Sequence, residues 1–311
     1  MFTDRQLTKA YENAKIEYFD QNSKYIFFSD LHRGDDSVSD EFTRNQPVLL
    51  HALDYYYHND YTYVELGDGD ELWEYPDFKH IRMAHSDIFT ALKNFYDQKK
   101  LVLIYGNHNI YLKKQRYLRK NYFRYYDEYR LSSFPLFPKI KAYEAIVLKH
   151  KHTGQEIFAV HGHQGDFFND QFWFLSMIAL RYFWRYLHVV GFRNPASPAK
   201  NVYKRHKIEK NYKKWIHKHQ QMLICGHTHR PRFPIAKELP YFNTGCCIHT
   251  KGISGIEILN GKILMVNWRV KANEQGTLQI IRSIVKGPEA IKKYRWDRPS
   301  LFRPYESSLC R

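Results

Sequence analysis

Five short groups of polar residues in this sequence combine side chains that bind divalent metal ions and move protons. Each group directly follows a run of apolar, β-favouring residues. The groups are Asp30-Leu31-His32, Gly67-Asp68, Gly106-Asn107-His108, His161-Gly162-His163 and Gly226-His227-Thr228-His229. They offer carboxylate, amide and imidazole donors and no cysteine. Such donors suit Mn²⁺ best, with Fe²⁺ or Zn²⁺ as alternatives, and do not fit a structural thiolate zinc site.

The candidate donors are too many for one metal ion. They are Asp30, His32, Asp68, Asn107, His161, His227 and His229. If one carboxylate bridges two ions, the donors divide into two sets of four. Two ions about 3.5 to 4 Å apart are a common device for displacement at phosphorus. We therefore expect two divalent metal ions and hydrolysis of a phosphate ester or a pyrophosphate.

The order of these motifs resembles that of the calcineurin-like metallophosphoesterases. The resemblance covers about residues 24–270 and includes Gly67-Asp68-Gly69-Asp70-Glu71 and Gly106-Asn107-His108-Asn109. It implies an α/β (α+β) fold of four layers, with two mixed β-sheets packed together, flanking helices, and the metal site at the carboxyl ends of strands. It also implies a hydroxide between the ions as the nucleophile. By this resemblance one ion is held by Asp30, His32, Asp68 and His229, and the other by Asp68, Asn107, His161 and His227.

His108 is the candidate catalytic acid. Because it directly follows Asn107, its ring can reach the leaving oxygen and donate a proton or stabilise the developing charge. The next residue, Asn109, departs from the family pattern, which has Asp or Glu there. If that carboxylate normally keeps the ring charged, its loss predicts a lower pKa for His108 and weaker acid catalysis. A carboxylate from elsewhere in the chain would compensate.

Several nearby polar residues have open roles. His163 is a candidate substrate contact, a metal ligand by slippage, or an ordinary loop residue. Asn109 is a further candidate substrate contact. Glu71 stands at the family's Asp/Glu position, and both Asp70 and Glu71 either orient a ligand histidine or simply face solvent.

Short apolar runs predict the elements that position these residues. Strands are expected at residues 24–28, 61–66, 101–105, 157–160 and 222–225. Helical periodicity over residues 47–57 and 80–96 indicates βαβ units and a parallel or mixed sheet. In open sheets of this kind, sites form beyond the carboxyl ends of the strands. After residue 140, the turns Thr153-Gly154 and Asn260-Gly261 predict antiparallel hairpins.

The composition bounds the protein class and its partners. The 311 residues are 43% hydrophobic and 26% charged, a globular profile that excludes collagen-like, coiled-coil and wholly disordered chains. The net charge of +16 predicts a polyanionic partner, such as a phosphorylated substrate, nucleic acid or an acidic membrane surface. Residues 171–219 hold eleven Lys or Arg against Glu209 alone, and residues 113–130 hold seven against two acids.

We expect a metallophosphoesterase domain over residues 1–285 and a C-terminal tail over residues 286–311. Within the domain, residues 166–220 are expected to form a basic helical insertion that covers the site. This insertion is similar in place to the lid of the UDP-2,3-diacylglucosamine hydrolases. Its Arg181 and Arg185 form a basic stripe and are candidate substrate contacts.

The same insertion suggests two environments. Residues 172–219 carry basic and aromatic side chains, which fits contact with a lipid or membrane surface. Alternatively, the aromatic residues belong to the core and the lysines form a solvated face. Nothing in the sequence is apolar enough over about 18 residues to span a membrane. The first residues do not resemble a signal peptide, and the four cysteines show no disulfide framework.

From these features we expect a cytoplasmic protein, with the inner face of the membrane as an alternative location. The favoured function is a dinuclear metal-dependent phosphoesterase for a small, nucleotide or lipid-linked substrate. A nuclease of the same fold would use the basic, aromatic segments to track a nucleic-acid backbone and stack bases. A scaffold that keeps the metal motifs but turns over little is the third hypothesis.

Overall fold

The computed structural model describes residues 2–166, 177, 178, 181 and 201–296, and these contain the following elements. The helices are α1 (Phe2–Glu12), α2 (Gln46–His58), α3 (Phe78–Ala84), α4 (Ser86–Asp97), α5 (Gln115–Asn121) and α6 (Val202–His219). The strands are β1 (Lys15–Phe19), β2 (Tyr25–Phe28), β3 (Thr62–Leu66), β4 (Leu101–Ile104), β5 (Arg124–Asp127), β6 (Ser132–Pro135), β7 (Ala142–Tyr143), β8 (Ala145–His150), β9 (Glu156–Val160), β10 (Met222–Cys225), β11 (Tyr241–Asn243), β12 (Ile253–Leu259), β13 (Lys262–Ala272) and β14 (Leu278–Ala290).

Two mixed sheets organise the fold. One has seven strands in the order β14-β13-β12-β2-β3-β4-β7, in which β2, β3, β4 and β7 are parallel to one another and β12 is antiparallel to β2. The other has five strands in the order β1-β8-β9-β10-β11, with β8 and β9 antiparallel and the remaining pairs parallel. Strands β5 and β6 form a separate hairpin.

Three apolar cores separate four layers, as the sequence predicts. Helices α2 to α5 pack on the outer face of the seven-stranded sheet, and α1 and α6 pack on the outer face of the five-stranded sheet. The third core lies between the two sheets. Strand β2 contributes to two of these cores. Its Ile26 and Phe28 face the helices, whereas Tyr25 and Phe27 face the other sheet. Alternate side chains of a strand point to opposite faces, so fully apolar strands fill two cores at once.

The strands that precede the polar groups are confirmed, and so are both hairpins. Strand β8 pairs with β9 in antiparallel fashion, and β12 pairs with β13 from Leu259 and Lys262 onward. At the second turn, Asn260 and Gly261 both have positive φ, 51° and 65°. This is the backbone that a two-residue hairpin loop with the native strand twist requires.

The helix predicted over residues 80–96 is wrong in one respect, because two helices occupy this stretch. Helix α3 ends at Ala84, and His85 leaves the helical conformation with φ −114° and ψ 36°. Its buried ring contacts Asp40 through Nε2 at 2.8 Å and Gln46 through Nδ1 at 2.6 Å. These contacts, between residues about 40 positions apart, set the break, and local periodicity does not reveal them.

Helix α6 is part of the folded core. Ile208, Tyr212, Trp215 and Ile216 are buried against the five-stranded sheet. Their spacing gives one apolar stripe on an otherwise basic helix. Tyr212 and Trp215 therefore have the core role, and the cover over the site expected from residues 166–220 stays a prediction. No helix among the described residues is both long and apolar enough to cross a bilayer.

The predicted tail begins inside a strand. Strand β14 continues through residue 286 to Ala290 and pairs with β13, and a 3₁₀ helix follows at Ile291–Tyr294. The boundary expected at residue 285 is therefore displaced. Exposed and half-buried positions alternate only weakly along this edge strand, so periodicity in the sequence does not predict the strand. Residues 297–311 of the predicted tail lie outside the described residues.

Candidate metal centre

The polar residues after five strands meet at one site. The ligand-type atoms in each of three groups lie within 4.8 Å of one another. We call the group of Asp30, His32 and His229 the open cluster and the group of Asp68, His161 and His227 the enclosed cluster. A third group shares His32 with the open cluster and adds Glu71 and His108.

In the open cluster, Asp30 is the central side chain. Its Oδ1 lies 3.1 Å from Nε2 of His229 and 3.9 Å from Nε2 of His32. Its Oδ2 accepts hydrogen bonds from the Ser29 hydroxyl and, at 3.0 Å, from the backbone N–H of His227. Because these donors hold one carboxylate oxygen, the other stays aimed at the two imidazoles.

In the enclosed cluster, both ring nitrogens of His161 have defined neighbours. Its Nδ1 lies 3.0 Å from the backbone carbonyl oxygen of Leu66, to which it donates, and this sets the tautomer and leaves Nε2 as a lone-pair donor. Nε2 lies 3.0 Å from Oδ2 of Asp68. The other Asp68 oxygen accepts from the backbone N–H of His108 at 2.8 Å, which ties this cluster to the loop after β4.

Most of the atoms expected to bind metal have no hydrogen bond to the described residues. Buried polar atoms are normally paired, because burial without a partner costs free energy. Within the described part of the chain, five of the seven predicted ligands present such an unpaired donor atom: Asp30 Oδ1, His32 Nε2, Asn107 Oδ1, His161 Nε2 and His227 Nε2. Oxygen and imidazole donors of this kind fit divalent ions such as Mn²⁺, Fe²⁺ or Zn²⁺.

The backbone at the strand ends is strained. Asp30, His32, Asp68, His227 and His229 all have positive φ, between 49° and 65°. Residues other than glycine rarely adopt this left-handed region, and such strain gathers at functional sites. Backbone hydrogen bonds hold it in place, since the N–H of Asp30 donates to Gly67 at 3.1 Å and that of His32 donates to Asp68 at 2.9 Å.

Glu71 is the carboxylate partner of the candidate acid. Its two oxygens approach Nδ1 of His108 at 2.7 and 2.8 Å, and Oε2 lies 2.7 Å from Nδ1 of His32. Burial disfavours the charged ring of His108, but the Glu71 and Asp68 carboxylates outweigh burial and raise its pKa to about 9. Burial likewise opposes ionisation of Glu71, yet the His108 and His32 rings lower its pKa to about 2.

Glu71 is the carboxylate from elsewhere in the chain that was expected to compensate for Asn109, so the lower pKa expected for His108 without it does not occur. The pKa of His108 is raised, because Glu71 provides a carboxylate from the preceding motif. Asn109 itself is fully buried, and its Oδ1 accepts a 2.6 Å hydrogen bond from the backbone N–H of Gly106. It thus shapes the turn that carries Asn107 and His108.

Two side chains that adjoin the site were noted in the sequence but were not predicted as site residues. The Trp73 indole stacks on the His108 ring, with centroids 4.1 Å apart and 25° between planes. Asp166 is buried, and its Oδ2 lies 3.6 Å from Nε2 of His227 and 2.8 Å from Nζ of Lys204 in α6. The only signal for Trp73 was its position two residues after Glu71, and Asp166 stood out only as an acid soon after His161.

The remaining candidate substrate contacts are His163, Arg181 and Arg185. His163 is buried beside His161, with ring centroids 5.7 Å apart, and its Nδ1 has no hydrogen-bond partner among the described residues. Burial, reinforced by the neighbouring His161 and His227 rings, holds the pKa of His163 well below its usual value. Arg181 donates to two backbone carbonyls next to the site. Arg185 lies outside the described residues.

Comparison with known sequences decides the family. The profile of the calcineurin-like phosphoesterases matches residues 23–231, which span every strand-end motif described above. The chain belongs to the calcineurin-like phosphoesterase family. The four-layer arrangement and the site at the strand ends are thereby those of a calcineurin-like phosphoesterase, whereas the likeness of its insertion to that of the UDP-2,3-diacylglucosamine hydrolases stays a prediction.

Other comparisons give only weak similarities to this calcineurin-like phosphoesterase. No curated protein matches its sequence. Similar solved structures include Vps29 from Cryptosporidium parvum, which is 13% identical, with a TM-score of 0.38 over 85% of this chain and 98% of that chain. Vps29 from Chaetomium thermophilum is 11% identical, with a TM-score of 0.34 over 85% and 96% of the two chains. A cold-active protein-tyrosine phosphatase from a psychrophilic Shewanella is 12% identical, with a TM-score of 0.39 over 86% and 83%. Similarities this weak carry no inference about activity.

Proposed function

We propose that this protein is a dinuclear metal-dependent phosphoesterase that hydrolyses a phosphate ester or a pyrophosphate bond. The supporting observation is the pair of adjacent ligand clusters, in each of which two of the three donor residues present an atom without a hydrogen bond in the described part of the chain, beside a histidine held by a carboxylate. Asp30, His32, Asp68 and His229 would hold one ion, and Asp68, Asn107, His161 and His227 the other. When bound, the ions supply Lewis acidity toward the phosphoryl oxygens and activate water for attack at phosphorus.

In this proposal His108 is the general acid. Glu71 binds Nδ1 of its ring, so that the proton on Nε2 is the one available for the leaving oxygen. Asp68 fixes the backbone at His108, and the flanking Trp73 and His32 rings limit rotation of the imidazole. A positioned acid of this type contributes about 10²- to 10⁴-fold to rate.

The contact with Glu71 also bears on the scaffold hypothesis. Low turnover was expected only because Asn109 replaces an acidic residue, and Glu71 removes that reason. The substrate is proposed to be a phosphorylated molecule, in keeping with the net charge of +16. Nucleotide, lipid-linked and nucleic-acid substrates share this chemistry, so the assay must separate them.

The first experiment measures Mn²⁺-dependent hydrolysis of p-nitrophenyl phosphate and bis-p-nitrophenyl phosphate by the full chain, together with bound metal. We expect activity with about two bound ions per chain, as a bridged pair requires. Asp68→Ala should lose both the activity and the bound metal. The control Asp54→Ala, whose wild-type side chain is 71% exposed, should retain the activity and the metal.

The outcomes are distinct. A preference for the diester would direct the search to nucleotides, nucleic acids and lipid-linked pyrophosphates, whereas a preference for the monoester would indicate a phosphatase. Two bound ions with no hydrolysis of either ester would contradict the proposed activity and restore the scaffold hypothesis. An Asp68→Ala protein that remains active with two ions would refute the bridging role.

A further inference from the structure

The candidate acid His108 is enclosed by three side chains. Glu71 holds its Nδ1, the His32 ring meets it edge-on with centroids 4.6 Å apart, and the Trp73 indole lies against its face at 4.1 Å. Of these three neighbours, only Trp73 has no part in the proposed metal chemistry.

The Trp73 ring depends on its backbone for its position. The residue is 1% exposed, and its indole N–H makes no hydrogen bond with the described part of the chain. Packing alone thus holds the ring, and the direction of its Cα–Cβ bond decides where the ring lies. Whatever fixes the peptide groups of Leu72 and Trp73 therefore also fixes the stack on His108.

Arg181 makes that contact from the insertion. Its Nε lies 2.8 Å from the carbonyl oxygen of Trp73, and its Nη2 lies 3.0 Å from that of Leu72. The planar guanidinium binds two acceptors in a fixed geometry, which a lysine cannot reproduce. A second contact lies nearby, because the Tyr111 hydroxyl is 3.0 Å from the Met177 sulfur. The insertion thus contacts the loops on both sides of His108.

We infer that Arg181 is a positioning residue for the acid, acting through the Leu72–Trp73 backbone and the Trp73 indole on His108. The inference rests on the proposed function and deepens it. It differs from the expectation that Arg181 contacts substrate, and it rests on the two of its five N–H donors that bind backbone carbonyls. The insertion would thereby control how well His108 protonates the leaving group.

The geometric part can be tested without metal or turnover. Ring protons over an indole face are shifted upfield in NMR spectra, and loss of the signal in His108→Gln assigns the His108 protons in protein with labelled histidine. In Arg181→Gln and Arg181→Lys we expect this shift to be reduced by at least half. Arg119→Gln, an exposed charge change in α5, is the matched control and should keep the full shift.

The chemical part uses leaving groups. Phenyl phosphate needs protonation of its leaving oxygen far more than p-nitrophenyl phosphate does. Arg181→Lys should therefore lower kcat on phenyl phosphate about 10-fold or more and kcat on p-nitrophenyl phosphate less than about 3-fold, within the range of a misplaced acid. The Lys variant keeps the charge and serves if Arg181→Gln does not fold.

An unchanged His108 shift in both variants overturns the inference. So does an equal loss of kcat on both esters, or a rise in KM alone, because these indicate a substrate contact or a general structural role. If the shift falls in the variants but the wild-type protein hydrolyses neither ester, the proposed function fails and the contact from Arg181 to His108 stands. The two failures are therefore distinguishable.

Discussion

The two ligand clusters use the same residue types but differ in how far they are closed to solvent. In the open cluster, the side chains of His32 and His229 are 11% and 17% exposed. In the enclosed cluster, those of His161 and His227 are 0% and 4% exposed. The open cluster also shares His32 with Glu71 and His108, whereas the enclosed cluster is next to Asp166 and Lys204.

The clusters also differ in what orients their histidines. A side chain, Glu71, holds His32, whereas a backbone carbonyl at the end of β3 holds His161. We conclude that the enclosed cluster is oriented by backbone groups and meets the acid only at its backbone, whereas the open cluster shares the Glu71 side chain with the acid. This difference predicts separate responses to mutation.

The largest effect is expected from loss of one ligand in either cluster. His161→Ala and His32→Ala should each lower kcat/KM more than about 100-fold, since residues that only orient a ligand cost about 10- to 100-fold. Excess Mn²⁺ should restore part of the activity of His32→Ala, because that site is open to water. Excess Mn²⁺ should not restore the activity of His161→Ala, because the cavity left by the missing ring is closed to water. Equal rescue of both variants would contradict the difference between the clusters.

Removal of the acid should separate catalysis from metal binding. His108→Ala is expected to retain both ions, because His108 is not among the proposed ligands, and to lower kcat about 10²- to 10⁴-fold. Metal content and kcat measured on the same preparation check this. Loss of an ion in this variant would indicate that His108 is a metal ligand and not a separate acid.

Glu71→Gln should act on one cluster only. The substitution removes the charge facing His32 and His108, and an outer partner of this kind affects metal affinity or activity about 10- to 100-fold. We expect weaker binding of one ion and unchanged binding of the other, measured by calorimetric titration with Mn²⁺. Glu12→Gln, exposed at the end of α1, is the charge-matched control. Weaker binding of both ions would contradict the independence of the two clusters.

The smallest effect concerns the loop that follows the open cluster. Asp40 is fully buried and accepts hydrogen bonds from the N–H groups of Gly34 and Phe42 at 3.0 Å and a contact from His85 at 2.8 Å. Asp40→Asn should lower the free energy of unfolding at pH 7 by about 1–3 kcal/mol, the typical loss when a buried bonded group is replaced. Urea unfolding curves measure it.

This stability effect should depend on pH with a defined sign. Burial opposes ionisation of Asp40, but hydrogen bonds and charge from His85 and the loop lower its pKa below the usual 3.8. The stabilisation from a depressed pKa is present above the unfolded value and is lost as pH falls through the folded value. The gap between wild type and Asp40→Asn should therefore narrow below about pH 4. A constant gap from pH 7 to pH 3 would show that the carboxylate charge is irrelevant.

Particular residues show where prediction from the sequence stopped. The five strands and their polar ends were predictable, because β-favouring runs followed by Asp, Asn or His are local patterns. The role of Glu71 was predictable only in part: orientation of a ligand histidine was one of its two expected roles, but proximity in sequence does not say which ring a carboxylate meets. The core role of helix α6 was left open for a related reason, since its seven Lys and Arg residues obscured a stripe of four buried apolar ones.

By itself, the sequence determined the order of motifs, the donor types and the strand ends that carry them, because each is set within a few residues of chain. The tertiary structure alone decided that Glu71 serves both His32 and His108, that one cluster is closed to water and the other is not, and that Arg181 reaches the Trp73 backbone 108 residues away. Those outcomes depend on packing between distant segments, which fixes distances and burial that no local pattern encodes.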